Sequence, residues 1–319
     1  MSKLFDEKTP MDAARTVALY QHYYADNGPS LPSGNPSSMR FIDRLTDCLD
    51  EVDGLILDSY GVIGLGAAPI EGIQDFFKEV EKRALPLVVL TNGASQPAEK
   101  RLPTYHSWDL PLAVEDIISS RDACYHTLLQ KRAQNPDERI CYLGRTVTKF
   151  NDIEGVKYPE TGWQEASLFV FMGATDWHET DQLALETVLG KQNQAGKAAE
   201  IIVANPDVSA PQISGFSYEP GYWAMRAHHH TNCAITMTGK PFGDAYALAF
   251  AALEAKAGRP LSPQRVAMVG DSLHTDILGA NQAGFISVLL RGYGLMSSFD
   301  IHHITQESQI YPALIAEVI

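Results

Sequence analysis

Short apolar runs alternate with amphipathic stretches along most of the chain, and several of the runs stop at a polar residue. Leu55-Ile56-Leu57 is apolar throughout and ends at Asp58, the pattern of a strand buried on both faces. Ile73, Phe76, Phe77 and Val80 then recur at i, i+3, i+4 and i+7, which predicts a helix running to about Arg83. Pro86 interrupts, and Leu87-Val88-Val89-Leu90 predicts a second buried strand ending at Thr91. Strand, helix and strand in succession form a βαβ unit, with parallel strands and a right-handed crossover. The alternation returns in the last third. A helix over 244–256 leads to a strand at 266–269 that ends at Gly270-Asp271, and a helix over about 276–283 precedes a strand at 286–290.

Between these two halves lie about 110 residues with strands of their own at 140–143, 168–172 and 201–204 and a helix around 180–189. That is long enough for a separate domain inserted into the first. The division expected is an N-terminal extension (1–40), a core made of 41–121 and 233–319, and an inserted domain (122–232). Within the extension, Ala13, Val17, Tyr20 and Tyr24 share one face of a helix over 11–26. A Pro-, Gly- and Ser-rich loop follows to residue 38, then a short helical stretch at 41–49.

Composition narrows the function. With 319 residues and 45% hydrophobic side chains, the chain has material for one large or two ordinary domains and a sizeable core. Its 39 acids against 25 Lys and Arg give a net charge of −14. Such a surface speaks against nucleic acid, which needs cations to displace counterions, and against docking on an anionic membrane. It also repels a phosphorylated substrate unless the site inverts the field locally. The N-terminus has no uninterrupted apolar stretch, and the longest apolar run, 245–253, is far shorter than the ~20 residues that span a bilayer. Cys48, Cys124, Cys141 and Cys233 are scattered without a CxxC pair, as structural thiols of a cytoplasmic protein are.

The polar residues at the ends of the runs supply the chemistry. In a parallel α/β sheet the carboxyl ends of the strands share one edge, so Asp58, Thr91-Asn92 and Asp271 can converge in the crevice outside it. A carboxylate there can attack phosphorus to give an aspartyl-phosphate. Two carboxylates with a backbone carbonyl are the hard oxygen donors that suit Mg2+.

Four segments occur in order: Asp58-Ser59-Tyr60-Gly61-Val62-Ile63, Thr91-Asn92-Gly93, Gly239-Lys240-Pro241 and Gly270-Asp271-Ser272-Leu273-His274-Thr275-Asp276. Together they resemble the four motifs of the haloacid-dehalogenase-like (HAD) phosphohydrolases. The insertion between the second and third is similar to the type-2 cap of subclass IIA, the branch of sugar and nitrophenyl phosphatases. Asn205-Pro206-Asp207 resembles the Asn-Pro-Asp loop of that cap. The resemblance runs from about residue 50 to the end. It implies an α/β fold, a Rossmann-like parallel-sheet core with an inserted α/β cap, and Mg2+-dependent hydrolysis of a small, sugar phosphate-like monoester. It also implies site roles. Asp58 is the nucleophile, and Asp58, Asp271 and the Tyr60 carbonyl hold Mg2+ with Asp276 in support. Thr91, Asn92 and Gly93 bind the phosphoryl group, and Lys240 adds a fixed positive charge. Residues 1–40 lie outside the resemblance and either pack on the core or mediate self-association into a homo-oligomer.

One departure matters. Most phosphatases of this superfamily carry a second Asp two residues after the nucleophile, as general acid and base, where this chain has Tyr60. A phenol with an ordinary pKa near ~10 can donate a proton but is a poor base at neutral pH. The expectation is a slow phosphatase, or one favouring leaving groups that need little protonation. His274 has the ordinary pKa of a substitute base, but its place between two acids reads as an exposed loop or helix start. His228-His229-His230 are consecutive, cannot readily face one ion, and read as a solvated cap loop. Tyr218, Tyr222 and Trp223 either wall the substrate or pack in the cap. The competing readings are a phosphate-binding or regulatory protein with little turnover, and a phosphotransfer receiver domain. The inserted domain and the Gly-Asp-x4-Asp segment speak against the receiver.

Overall fold

The runs at 55–57, 87–90 and 266–269 lie in strands whose every side chain is buried. The computed structural model describes residues 4–6, 9–212 and 215–319. Its first portion contains β1 (Arg40–Arg44), β2 (Gly54–Leu57), a small hairpin of β3 (Gly64–Leu65) and β4 (Ala68–Pro69), β5 (Leu87–Thr91) and β6 (Ile117–Ser119). The middle carries β7 (Ile140–Leu143), β8 (Val156–Lys157), β9 (Leu168–Phe171) and β10 (Glu200–Val203). A second hairpin, β11 (Ser209–Gln212) with β12 (Gly215–Tyr218), precedes β13 (Ala234–Met237). The chain closes with β14 (Val266–Gly270), β15 (Ile286–Leu290) and β16 (Leu314–Val318). Seven strands form one sheet in the order β1-β16-β15-β14-β2-β5-β6, with every neighbouring pair parallel. Five form a second parallel sheet in the order β13-β10-β9-β7-β8.

Helices cover both faces of the larger sheet, which is why its central strands are apolar without alternation. The stripe Ile73, Phe76, Phe77 and Val80 is the buried side of α2 and packs with Leu55, Leu57, Val89 and Val269; α2 follows α1 (Ala13–Asn27) and spans Ile73–Lys82. The alternate residues Ile56, Val88, Leu90 and Met268 face the opposite way. They meet Ala245, Tyr246, Ala249 and Leu253 of α7 (Gly243–Ala257), which comes after α3 (Ala98–Ser107), α4 (Ser120–Gln134), α5 (Glu179–Gln194) and α6 (Pro220–Thr231). α8 (Leu278–Ala283) and α9 (Ile301–Ser308) complete the set. No helix of the described residues is long and apolar enough to cross a membrane. All four cysteines are free and buried.

Several expectations need correction. Residues 40–44 are an edge strand paired with β16, and only 45–51 form a 3-10 turn; five half-exposed or exposed residues carry too little periodicity to separate strand from helix. Ala234–Met237, expected in the core portion, is an edge strand of the smaller sheet beside β10. The helix expected over 276–283 begins with a wide π-type turn, Leu273–Ile277, before α8. His228, His229 and His230 lie in the last turn of α6, not in a loop.

α1 forms as its stripe predicts, with Asp12 capping its start by accepting the Arg15 N–H at 2.7 Å. Val17, Leu19, Tyr20 and Tyr24 of α1 belong to one continuous apolar cluster with Val203, Val208 and Tyr222 of the middle portion and Leu273, Ile277 and Leu289 of the core. The N-terminal helix is therefore wedged between the two sheets' portions.

Candidate active site

The site grows from two neighbouring strands. β2 and β14 lie side by side with Leu57 paired to Val269, so the residues that follow, Asp58 and Asp271, emerge next to each other. The chain leaves β2 toward β5 on one side, while β15 lies on the other side of β14. This is the reversal of direction that opens a crevice at the carboxyl ends of parallel strands. Asp58 is anchored by its N–H to the Val269 carbonyl at 2.8 Å. Carboxylate oxygens of Asp58, Asp271 and Asp276 all lie within 4.8 Å of one another. The Lys240 ammonium sits on two of them, 2.5 Å from Asp58 Oδ1 and 2.7 Å from Asp276 Oδ1. Asp276 Oδ2 accepts the Ser272 N–H at 3.1 Å, and Asp271 Oδ2 accepts the Leu295 N–H at 2.9 Å. Two glycines permit this approach. A Cβ at Gly294 would stand 1.7 Å from Asp271 Oδ2, and one at Gly61, whose φ is +81°, 2.3 Å from the same atom.

Three carboxylates against one ammonium leave an excess of two negative charges when all are ionised. Burial, with the neighbouring carboxylates, pushes Asp58 well above the usual range despite the opposing pull of Lys240. Burial and then Asp276 push Asp271 up to about 7. Lys240 is disfavoured by burial, yet Asp276 and Asp58 hold its ammonium above the ordinary value. A converging set of hard oxygen donors with an uncompensated double charge fits a divalent cation.

Of the residues expected in the site, Asp58, Tyr60, Lys240 and Asp271 line a cavity of about 50 Å3. Asp276 is fully buried and bonded to Lys240. Thr91, Asn92 and Gly93 stand at the end of β5 but do not line that cavity. Asn92 instead acts as a clamp. Its Oδ1 accepts the Lys240 N–H at 2.7 Å, and its Nδ2 donates to the Lys240 carbonyl at 3.1 Å and to Asp207 Oδ1 at 2.8 Å. The Thr91 hydroxyl oxygen accepts the Gly93 N–H at 3.2 Å. The Tyr60 hydroxyl donates to the Pro211 carbonyl on the β11–β12 hairpin.

The other candidates fall elsewhere. His274 is buried, not exposed; its imidazole is pushed down to about 4 by burial, and neither ring nitrogen has a hydrogen-bond partner among the described residues. His228 Nδ1 bonds the Cys233 carbonyl at 2.7 Å and His230 pairs with Glu186 at 2.9 Å, so the three histidines do not converge. Tyr218, Tyr222 and Trp223 pack on one another in tilted and edge-on contacts with centroids 4.7–5.6 Å apart, with the Arg15 guanidinium over Tyr222, and none of them lines the cavity.

Sequence reasoning missed much of the wall. Tyr20, Asp207, Ser209, Ala210, Pro211 and Leu295 all line the cavity. Asp207 had a signal in its Asn-Pro-Asp loop; burial pushes its carboxyl up to about 6. Tyr20 had none, because an aromatic on the apolar stripe of a helix reads as core.

Comparison with known proteins bears on the family and the fold. Residues 55–151 match the family model of the haloacid dehalogenase-like hydrolases, and residues 237–316 match a second, HAD-hydrolase-like model. An acid sugar phosphatase of Staphylococcus haemolyticus is 25% identical over 240 residues, covering 72% of this chain and 82% of that protein. A D-glycerol 3-phosphate phosphatase of Mycobacterium tuberculosis is 27% identical over 256 residues, covering 78% of this chain and 65% of that one. Among solved structures, a possible sugar phosphatase of Cytophaga hutchinsonii superposes with a TM-score of 0.71 at 21% identity, covering 88% of this chain and 98% of the other. A p-nitrophenyl phosphatase from Archaeoglobus fulgidus gives 0.63 at 18% identity, covering 84% and 96%.

Proposed function

The chain belongs to the haloacid-dehalogenase-like hydrolases, subclass IIA, and from that premise we propose that it is a cytoplasmic, Mg2+-dependent phosphomonoesterase acting on a small phosphorylated metabolite. The observation that carries the reading is the Lys240 ammonium bridging Asp58 and Asp276 beside Asp271, at the carboxyl ends of adjacent parallel strands. Asp58 attacks phosphorus, the bond to the leaving oxygen breaks with its electron pair on that oxygen, and an aspartyl-phosphate results. Water then attacks the same phosphorus, releasing phosphate and restoring the carboxylate. Asp58, Asp271, the Tyr60 carbonyl and Asp276 would hold Mg2+, which supplies positive charge to the phosphoryl oxygens when bound. Lys240 contributes a second positive charge, fixed in place by Asp276 and by the Asn92 clamp, so little reorganisation is needed as charge develops.

Tyr60 does not take the role of the missing Asp in this reading. Its hydroxyl is engaged by the cap carbonyl of Pro211, which makes it a latch. Asp207, raised to about 6 and lining the same cavity, is the carboxyl that delivers a proton to the leaving group. A cavity of about 50 Å3 is far below the several hundred of an ordinary ligand pocket, so the cap must part from the core to admit a substrate. The test is phosphate release from methyl phosphate and from p-nitrophenyl phosphate, with and without Mg2+. Wild type should turn over only with Mg2+ and Asp58→Asn should fall below detection; Asp58→Asn at the wild-type rate would overturn the reading. Retained phosphate binding without turnover across a panel of monoesters would favour a phosphate-binding protein, the reading that the engaged Tyr60 hydroxyl also supports.

A further inference from the structure

The helix α1 lies outside both segments matched by the family models, yet it reaches the catalytic cavity. Tyr20 lines that cavity together with Asp58, Lys240, Asp207 and Thr275. Its hydroxyl oxygen accepts the Val208 N–H at 3.1 Å, the residue directly after Asp207. One α-helical turn earlier, the Thr16 and Ser209 hydroxyls are 2.6 Å apart. The other face of the Tyr20 ring contact is the core: it stacks on His274 with centroids 5.4 Å apart and planes 7° from parallel. A single side chain thus touches the cap loop, the fourth motif and the empty space over the nucleophile.

We propose that Tyr20 is a specificity-determining residue: it closes one side of the catalytic cavity, limits the bulk of the group esterified to phosphate, and positions the loop that carries Asp207. The substrate class that follows is a phosphate monoester of a short, compact group, and not a bulky aryl or long-chain ester. The physical basis is that a rigid aromatic wall in a cavity this small rejects extra carbons by overlap, where a few atoms change binding by about tenfold or more. Tyr20 can hold its place because α1 is packed against both cap and core, with Tyr24 of the next turn meeting Phe242 edge to face at 6.3 Å. This inference rests on the phosphatase reading for its reaction but not for its geometry.

The experiment measures binding of methyl-, propyl- and phenylphosphonate, which cannot be hydrolysed, in the presence of Mg2+, together with kcat/KM for methyl phosphate and p-nitrophenyl phosphate. Wild type should prefer the methyl over the phenyl compound. Tyr20→Leu, which keeps an apolar side chain but shortens the wall, should shift that ratio toward phenyl by about tenfold and shift the kcat/KM ratio the same way. Tyr20→Phe keeps the ring, so it should retain the size preference while KM rises for both esters as Val208 loses its acceptor. Should Tyr20→Leu not fold, Tyr20→Phe decides: an unchanged KM for both esters overturns the proposal. Equal binding of all three phosphonates by wild type, or a size ratio unmoved in folded Tyr20→Leu, overturns it as well. Size-selective phosphonate binding with no turnover by wild type would sink the phosphatase reading and leave this one standing.

Discussion

At the residue scale, the replacement of the usual acid by Tyr60 and the approach of Asp207 from the cap belong together. Tyr60 is half-buried, with burial raising its phenol further from neutrality, and its hydroxyl is already engaged. Asp207 changes charge near neutral pH and is held toward the cavity by Asn92. Substituting Asp207→Asn keeps the shape and the bulk of the clamp while removing the proton. Its kcat should drop by about 10²-fold for an alkyl phosphate, whose leaving oxygen needs protonation, and by much less for p-nitrophenyl phosphate. Equal losses on both esters would mean that Asp207 only positions the loop.

At the element scale, the β11–β12 hairpin is the part of the cap that meets the nucleophile loop, and Tyr60 to Pro211 is the bond that joins them. A latch and a proton donor leave different signatures. Tyr60→Phe should raise hydrogen exchange at 209–212 and 215–218 and change kcat for good and poor leaving groups by the same factor. Selective loss on the poor leaving group, with exchange in the hairpin unchanged, would return the acid role to Tyr60. The π-type turn at 273–277 serves the site in a similar local way: it leaves Asp276 fully buried, with Oδ1 on Lys240 and Oδ2 on its own Ser272 N–H. Wide turns of this kind recur at functional sites, where they redirect one side chain without ending the helix.

At the scale of the whole molecule, the acids of the site and Glu219, just before α6, set how stability depends on pH. Burial raises Asp58, Asp207 to about 6, Glu219 to about 7 and Asp271 to about 7, so the native state keeps protons that the unfolded chain releases near ~4. Stability of the cation-free protein from these groups is therefore greatest at low pH and is lost as pH rises from about 4 to about 7. His274, pushed down to about 4, works the other way, losing stability as pH falls from about 6.5, but it is one group against four. Thermal melts in a chelator should show Tm falling between pH 5 and 7.5, and Mg2+ should flatten that slope by favouring ionised Asp58 and Asp271; identical slopes with and without Mg2+ would exclude a cation on those carboxylates. The net charge of −14 adds self-repulsion but does not bear on this local balance. By itself the sequence determined the parallel α/β fold, the α1 and α2 stripes, and the convergence of Asp58 and Asp271, because period and strand ends are local properties of the chain; Lys240 came only from the resemblance of Gly239-Lys240-Pro241 to a family motif. Only the tertiary structure decided what closes that site. Tyr20 meets Val208 across 188 positions and Tyr60 meets Pro211 across 151, and such contacts depend on how the cap and α1 pack on the core, which no local pattern records.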